Sequence, residues 1–167
     1  LTQDYSLWEL FVVADGPSPE GKAIIEGYGD KRIKYLEKPW SGVCHTRNYG
    51  KSFARGDFLA FPSTDFKLMP GCLRKWIMWF QDFPHSAFVY GGYRFMKEGR
   101  PAFDFPSQPF DVPMLRTFNY IDGGFPVKRE LCPDWDPDIE SLNDWDFWLQ
   151  VVLKGGVGQY MMWDGKP

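Results

Sequence analysis

In GDFLAFPSTDFKLMP, residues 56–70, a strand-like pattern gives way to a helix-like one. The apolar run 58–61 has the length and aromatic content of a buried strand, and it stops at Pro62. Small polar residues follow as far as Asp65, and a helical pattern begins at Pro70. We therefore expect Asp65 just beyond the carboxyl end of a core strand, where open α/β sheets bind ligands. Its carboxylate could hold a divalent metal ion against nucleotide phosphates, or it could only stabilise the turn.

The segments before residue 56 alternate between strand-like and helix-like patterns. The predicted elements are strand 8–14, helix 20–28, strand 32–36 and helix 42–54. We expect Ala23, Ile24 and Ile25 to form the buried side of the first helix, and Gly50 to allow another backbone close to the second. Repeated strand–helix alternation predicts an α/β fold with a mostly parallel sheet flanked by helices.

The segments from residue 70 onwards also read as helices and strands, except for residues 98–116. The predicted elements are helix 70–83, strand 87–96 with a bend at Gly91-Gly92, strand 125–127, helix 141–154 and strand 157–163. Residues 98–116 show no clear period and are predicted to be a long ordered loop. We find no repeat and no linker composition, so residues 1–167 are expected to form a single domain.

Composition narrows the classes of function. The net charge of −3 argues against non-specific nucleic-acid binding, which needs a basic face. No apolar run reaches the roughly 18 residues that predict a membrane span, and the first residues do not resemble a signal peptide. Three widely spaced cysteines fit neither a disulfide framework nor a zinc site, which favours a reducing, cytosolic setting. Aromatic residues make up 19% of the chain, enough for a bulky core or for rings that stack on ligands.

Polar residues follow two of the predicted strands. Asp15 and Gly16 end the strand 8–14, and Thr64 and Asp65 follow the run 58–61. These two strand ends are expected to meet at one edge of the sheet. Arg47 is predicted on a helix between strands, where it could face a base or a diphosphate, or simply pair with a carboxylate at the surface.

Two aspartates occupy the start of the helix 141–154. On a helical wheel, Asp144 and Asp146 lie on opposite flanks of the apolar face, so they do not form a paired-carboxylate site. Ser141 and Asp144 match the spacing of a capping box, and a helix N-terminus favours the ionised carboxylate. An ionised Asp144 could also act as a general base, and the two roles are compatible.

In order and spacing, these segments resemble the family 2 glycosyltransferases with the GT-A fold. The segments that carry the resemblance are 5–16, 42–56, 58–73, 119–130 and 143–149. The first is similar to the family's strand ending in Val-Asp-Asp-Gly-Ser, the second to its Ala-Arg-Asn segment, and the last, NDWDFWL, to its Glu-Asp-Trp-Asp helix. The family's first strand has no expected counterpart here, and Ser63 replaces the first acid of its Asp-x-Asp signature.

The resemblance implies inverting transfer of a sugar from a nucleotide-diphosphate donor to the hydroxyl of a saccharide or glycolipid, as in polysaccharide biosynthesis. It places the protein in the cytoplasm, with the membrane face as a candidate location. By position, it assigns the donor nucleotide to Asp15, Gly16, Arg47, Thr64 and Asp65, and Mg²⁺ or Mn²⁺ to Asp65.

The same resemblance assigns the catalytic base and the acceptor side. Asp144 would take the proton of the acceptor hydroxyl. Gly123, Gly124, Trp145 and Asp146 would line the sugar and acceptor cleft. Two alternatives remain open: a non-catalytic GT-A-like module that binds carbohydrate or another subunit, and a nucleotide-sugar hydrolase or pyrophosphorylase. The latter usually carries a basic, Gly-rich phosphate loop, and residues 1–30 show none.

Overall fold

The computed structural model describes residues 2–105 and 107–162. Its strands are β1 (Leu10–Asp15), β2 (Ile33–Lys38), β3 (Phe58–Leu59), β4 (Phe88–Tyr90), β5 (Tyr93–Lys97), β6 (Arg100–Phe105), β7 (Val127–Lys128) and β8 (Gly158–Tyr160). Its α-helices are α1 (Pro19–Gly27), α2 (Val43–Phe53), α3 (Cys72–Asp82), α4 (Val112–Leu115) and α5 (Asn143–Leu153), and Arg129–Leu131 form a 3₁₀ turn. None of these helices is long and apolar enough to cross a membrane.

The strands form two sheets and a separate hairpin. Strands β1 and β2 pair in parallel, and α2 packs on β1, where a Cβ at Gly50 would lie 3.0 Å from Val13 Cγ2. The second sheet has the order β3-β7-β4-β8, in which β4 and β8 are parallel and β7 is antiparallel to both of its neighbours. The fold is α/β, as predicted. The second sheet is mixed because β7, which lies between β3 and β4 in the sheet, runs antiparallel to both.

The core lies around the second sheet and consists largely of rings. The Phe88 ring packs 4.5 Å from that of Trp148, and the Trp135 ring stacks 4.3 Å from that of Phe147. All four side chains are almost completely buried. Large rings remove much apolar area from water, so a substantial share of the aromatic surplus serves packing.

The prediction that Ala23, Ile24 and Ile25 form the buried side of α1 is wrong. No residue of this helix is buried, Ala23 is exposed, and Ile24 is 63% exposed. Successive helical residues point about 100° apart, so three in a row cannot share one face. Of the three, only Ile25 is half-buried, on the side where α1 contacts β2.

The prediction of a loop over residues 98–116 is also wrong, because Arg100–Phe105 form β6. This strand pairs with β5 in an antiparallel hairpin, in which the ring of Phe105 stacks 4.6 Å from Tyr93 and that of Phe103 stacks 4.4 Å from Phe95. Pro101 interrupts the strand pattern, but an edge strand tolerates proline. The later part contains α4, which is capped where Asp111 Oδ1 accepts a 2.6 Å hydrogen bond from the Met114 N–H.

The other elements agree with prediction in type and differ at their ends. The predicted strand 87–96 is two strands, β4 and β5, which belong to different sheets; they are separated at Gly91-Gly92, where only a bend was predicted. Helix α3 begins later than Pro70, because Gly71 adopts a left-handed conformation with φ of 77°. In the run 58–61 only Phe58 and Leu59 join the sheet ladder. The last strand is shorter than predicted, and Trp163 lies outside the described residues.

Candidate active site

Asp15 lies at the carboxyl end of β1 and holds the start of α2. Its Oδ1 accepts hydrogen bonds from Lys38 Nζ at 2.8 Å and from the Ser41 N–H at 2.9 Å, and its Oδ2 accepts one from the Gly42 N–H at 2.8 Å. The hydrogen bond from Lys38 and the backbone donors lower the pKa of Asp15 to about 2. Asp15 is therefore ionised at neutral pH and fixes the segment that leads into α2.

Gly16 follows in a left-handed conformation, with φ of 103°. A side chain at this position would collide with the indole of Trp40, which lies directly against the glycine. Trp40 is 77% exposed. Trp40 was not among the site residues predicted from the sequence; the available signal was a tryptophan between Pro39 and Ser41, immediately before a helix.

Arg47 lies on α2 and is half-buried rather than free at the surface. Its guanidinium lies 4.1 Å from the centre of the Trp135 ring, and Nη1 donates a 2.8 Å hydrogen bond to Asn143 Oδ1. Burial lowers the pKa of Arg47, and nearby groups that include Asp144 and Asp122 oppose that effect. Arg47 therefore provides a positioned cation beside two carboxylates.

Asp122 is the central acid of the site, and it was not among the residues predicted from the sequence. Burial raises its pKa, and the charges of Asp144 and Asp65 raise it further. A 2.7 Å hydrogen bond from the Gly124 N–H and the charge of Arg47 act in the opposite direction. Asp122 thus interacts with Arg47, Asp65 and Asp144, which lie on three separate segments of the predicted site. The signal that could have identified it was an acid directly before the Gly123-Gly124 pair.

Asp144 lies in the first turn of α5, with both carboxylate oxygens engaged. Oδ2 accepts a 2.9 Å hydrogen bond from Asn119 Nδ2, and Oδ1 accepts one of 2.9 Å from the Trp145 N–H. The predicted capping box does not form. Leu142 is the N-cap residue, in a left-handed conformation with φ of 56°, and no side chain caps the helix. This turn of the backbone takes Ser141 out of the capping position.

The next two residues of α5 point to different partners. Trp145 Nε1 donates a 2.5 Å hydrogen bond to the Leu115 carbonyl, which ties α5 to α4. Asp146 Oδ2 accepts a 2.5 Å hydrogen bond from Gln150 Nε2, one turn along the helix. Asp144 and Asp146 therefore have separate partners, in agreement with the wheel. The acceptor roles of Trp145 and Asp146 stay predictions.

Gly123 and Gly124 provide room for protein side chains. A Cβ at Gly123 would lie 3.1 Å from Asp144 Cβ and 3.1 Å from Trp135 Cη2. A Cβ at Gly124 would lie 3.2 Å from Asp122 Oδ1 and from Phe66 Cε1. The two glycines thus let the acidic side chains and the surrounding rings pack against this backbone. Their contact with a sugar remains a prediction.

Thr64 and Asp65 occupy an exposed turn that the backbone closes. The Phe66 N–H donates a 3.0 Å hydrogen bond to the Ser63 carbonyl, and in residues 2–105 and 107–162 no hydrogen bond of the Asp65 side chain contributes to the turn. The same residues contain no group of three His, Cys, Asp or Glu side chains that could hold a metal ion alone. Mg²⁺ is usually bound by one or two protein carboxylates together with substrate phosphates, and Asp65 could supply one such carboxylate.

Tyr93 brings the β5–β6 hairpin to the same region. Burial raises the pKa of Tyr93, and the charges of Asp122 and Asp144 raise it further. Its ring lies 6.2 Å from that of Phe66, which follows Asp65. Asp65, Asp122 and Asp144 are therefore bordered by aromatic side chains. Asp15 is linked to this group through α2, since it anchors the start of the helix that carries Arg47.

The sequence profile described as Glycosyl transferase family 2 matches residues 1–131. The chain belongs to this family. Among its relatives, it is 24% identical to the putative colanic acid biosynthesis glycosyl transferase WcaA of Escherichia coli, over 93% of this chain and 60% of WcaA. It is also 24% identical to an Escherichia coli enzyme named UDP-Glc:alpha-D-GlcNAc-diphosphoundecaprenol beta-1,3-glucosyltransferase WfgD, over 94% of this chain and 63% of WfgD.

The same fold is found in the crystal structure of S. aureus TarS 1–349. The two superpose with a TM-score of 0.72 at 20% identity, over 96% of this chain and 51% of the TarS chain. The predicted GT-A fold of the family 2 glycosyltransferases is confirmed. The chain spans about half to two thirds of the lengths of these proteins.

Proposed function

We propose that this family 2 chain carries the catalytic site for inverting transfer of a sugar from a nucleotide-diphosphate donor to an acceptor hydroxyl. The observation that carries the proposal is the carboxylate of Asp144, held by Asn119 at 2.9 Å beside Arg47 and Asp122. A general base must be ionised, oriented and close to the reacting groups. Asp144 has the hydrogen-bond donors and the neighbouring cation that this role requires.

The chemical step is a single displacement. The acceptor oxygen forms a bond to the anomeric carbon as the bond from that carbon to the diphosphate oxygen breaks, with inversion of configuration. The acceptor proton passes to Asp144, and the electron pair of the broken bond leaves with the diphosphate. Asn119 keeps Asp144 in the orientation needed to receive the proton.

Donor binding is assigned to the segments around β1, α2 and the turn after β3. We assign Asp15 and Gly16 to the nucleotide base, Arg47 to the base or the diphosphate, and Thr64 to the donor nucleotide. Asp65 would hold Mg²⁺ or Mn²⁺, which offsets the charge developing on the departing diphosphate. Arg47 contributes to the same electrostatic task from α2, because its guanidinium is positioned by Trp135 and Asn143.

For the acceptor, we propose a saccharide or glycolipid that enters between α5 and the hairpin. Gly123, Gly124, Trp145 and Asp146 are the candidate lining residues. The name of WfgD specifies UDP-Glc and a diphosphoundecaprenol-linked sugar, and that of WcaA specifies colanic acid biosynthesis. UDP-glucose with a lipid-linked saccharide is therefore the first pair to test. Sugar transfer between these two substrates would correspond to polysaccharide synthesis on the cytoplasmic face of a membrane.

The test measures nucleoside diphosphate release from a panel of UDP- and GDP-sugars, with Mn²⁺ and saccharide or glycolipid acceptors. Asp144→Asn should lower kcat by roughly 10²- to 10⁴-fold, the usual contribution of a general base. Asp65→Ala should abolish the dependence on Mn²⁺. Asp82→Asn, an exposed acid at the end of α3, is the control and should retain activity. Oligosaccharide binding that is indifferent to EDTA and to Asp144→Asn, without turnover, would instead support a non-catalytic module.

A further inference from the structure

Trp40 differs from the other tryptophans of the described residues in its exposure. It is 77% exposed, whereas Trp76, Trp135 and Trp148 are buried. Tryptophan is among the side chains that gain most from leaving water, so an indole this exposed is unusual in a folded domain. Its surroundings indicate why the ring is kept at the surface.

The segment that carries Trp40 is fixed from both sides. The Gly16 N–H donates a 2.8 Å hydrogen bond to the Lys38 carbonyl, and Lys38 Nζ donates to Asp15 Oδ1 and to the Pro39 carbonyl at 2.8 and 2.7 Å. Beyond the tryptophan, the N–H groups of Ser41 and Gly42 donate to the Asp15 carboxylate. Trp40 is thus held between two anchored points, and little conformational freedom is left to lose when a ligand binds.

The indole also rests on a surface that only glycine provides. Its Nε1, Cε2 and Cζ2 atoms occupy the space where a side chain at Gly16 would project. The ring therefore lies against the backbone at the carboxyl end of β1 and presents its remaining surface to solvent. A parallel strand end next to a helix N-terminus is where nucleotides bind in α/β folds.

We infer that Trp40 stacks on the base of the donor nucleotide, and that Asp15 is the positioning residue that holds the segment bearing this ring. The inference rests on the proposed function, since it concerns the donor. A nucleobase is a flat ring with an apolar face, which matches an exposed indole, and stacking on an aromatic side chain tolerates any base. Asp15 also anchors α2, so a base on Trp40 belongs to the same site as Arg47.

The experiment uses UDP alone, then GDP, with inorganic diphosphate as a ligand that lacks a base. Calorimetry gives each affinity, and acrylamide quenching of tryptophan fluorescence reports the exposure of Trp40. Trp40→Ala should weaken UDP binding by roughly 5- to 100-fold, as expected for loss of one base–aromatic stack. Trp40→Phe should keep most of the affinity, and bound UDP should protect the wild-type protein from acrylamide.

Two controls separate stacking from general damage. Trp40→Ala should leave the affinity for inorganic diphosphate unchanged, and Tyr28→Ala, which removes a 54% exposed ring after α1, should leave UDP binding unchanged. If wild-type protein binds a nucleotide and Trp40→Ala binds it equally well, the stacking inference is wrong and the proposed function stands. If wild-type protein binds neither UDP nor GDP at millimolar concentration, the proposed donor site and the inference both fail.

Discussion

Replacement of Asn119 by alanine should impair catalysis through Asp144. Asn119 Oδ1 accepts a 3.2 Å hydrogen bond from the Ile121 N–H, which turns its Nδ2 towards Asp144 Oδ2 at 2.9 Å. A hydrogen bond to a charged group contributes about 1.5–3 kcal/mol. If that contribution is lost from the transition state, kcat/KM should fall by roughly 10- to 150-fold, since about 1.4 kcal/mol corresponds to tenfold.

The assay is steady-state kinetics of wild-type protein and Asn119→Ala, with kcat and KM determined separately. A hydrogen bond that orients the base acts on the chemical step rather than on substrate binding. Its removal should therefore lower kcat and leave KM nearly unchanged. The other charged or titratable groups around Asp144, namely Arg47, Asp122 and Tyr93, are the same in both proteins. Equal thermal unfolding midpoints would show that the loss of kcat does not arise from a damaged fold.

A double-mutant cycle gives the decisive comparison. Asn119→Ala should have little further effect in an Asp144→Asn background, because the two residues act on the same proton transfer. If the two losses in kcat/KM add in full, Asn119 acts independently of Asp144. An unchanged kcat for Asn119→Ala, or full additivity of the two losses, would refute the positioning role.

Three further predictions concern the donor side, acid stability and packing. Arg47→Lys should raise the donor KM by roughly tenfold or more with a smaller change in kcat, because lysine cannot both stack on Trp135 and reach Asn143; an unchanged KM in steady-state kinetics would contradict this. Asp15 has its pKa lowered to about 2, so the stability it contributes should be present above its unfolded pKa of about 4 and lost as pH falls towards 2. The difference in melting temperature between wild type and Asp15→Asn should accordingly vanish near pH 2, and a constant difference would be inconsistent. Gly158→Ala places a Cβ 2.5 Å from the buried Phe88 ring and should lower the free energy of unfolding by about 1–3 kcal/mol in denaturant titrations. Gly27→Ala, whose Cβ would meet nothing within 4 Å apart from its chain neighbours and its own helix backbone, is the matched control and should cause no such loss.

Most elements could be predicted from the sequence because they depend on local patterns. Apolar periodicity located α3 and α5, and turn residues located the end of β1; Gly91-Gly92 indicated a bend where the chain in fact passes from β4 to β5. The failures have physical causes as well. The three consecutive residues assigned to the buried side of α1 could not share one helical face, and packing decides which face meets β2. The pairing of β6 with β5 depends on ring stacks between the two strands.

Polar residues at predicted strand ends and helix starts, including Arg47, Asp65 and Asp144, could be singled out from the sequence, and the order of the segments along the chain indicated the family. Their convergence on Asp122 could not be predicted, because burial and neighbouring charges come from segments that are distant in sequence. The pairing of Asn119 with Asp144 and the seating of Trp40 on Gly16 are likewise properties of the folded chain. The local sequence pattern is sufficient to predict which chemical groups one segment carries. How the side chains of different segments are arranged against one another depends on tertiary packing.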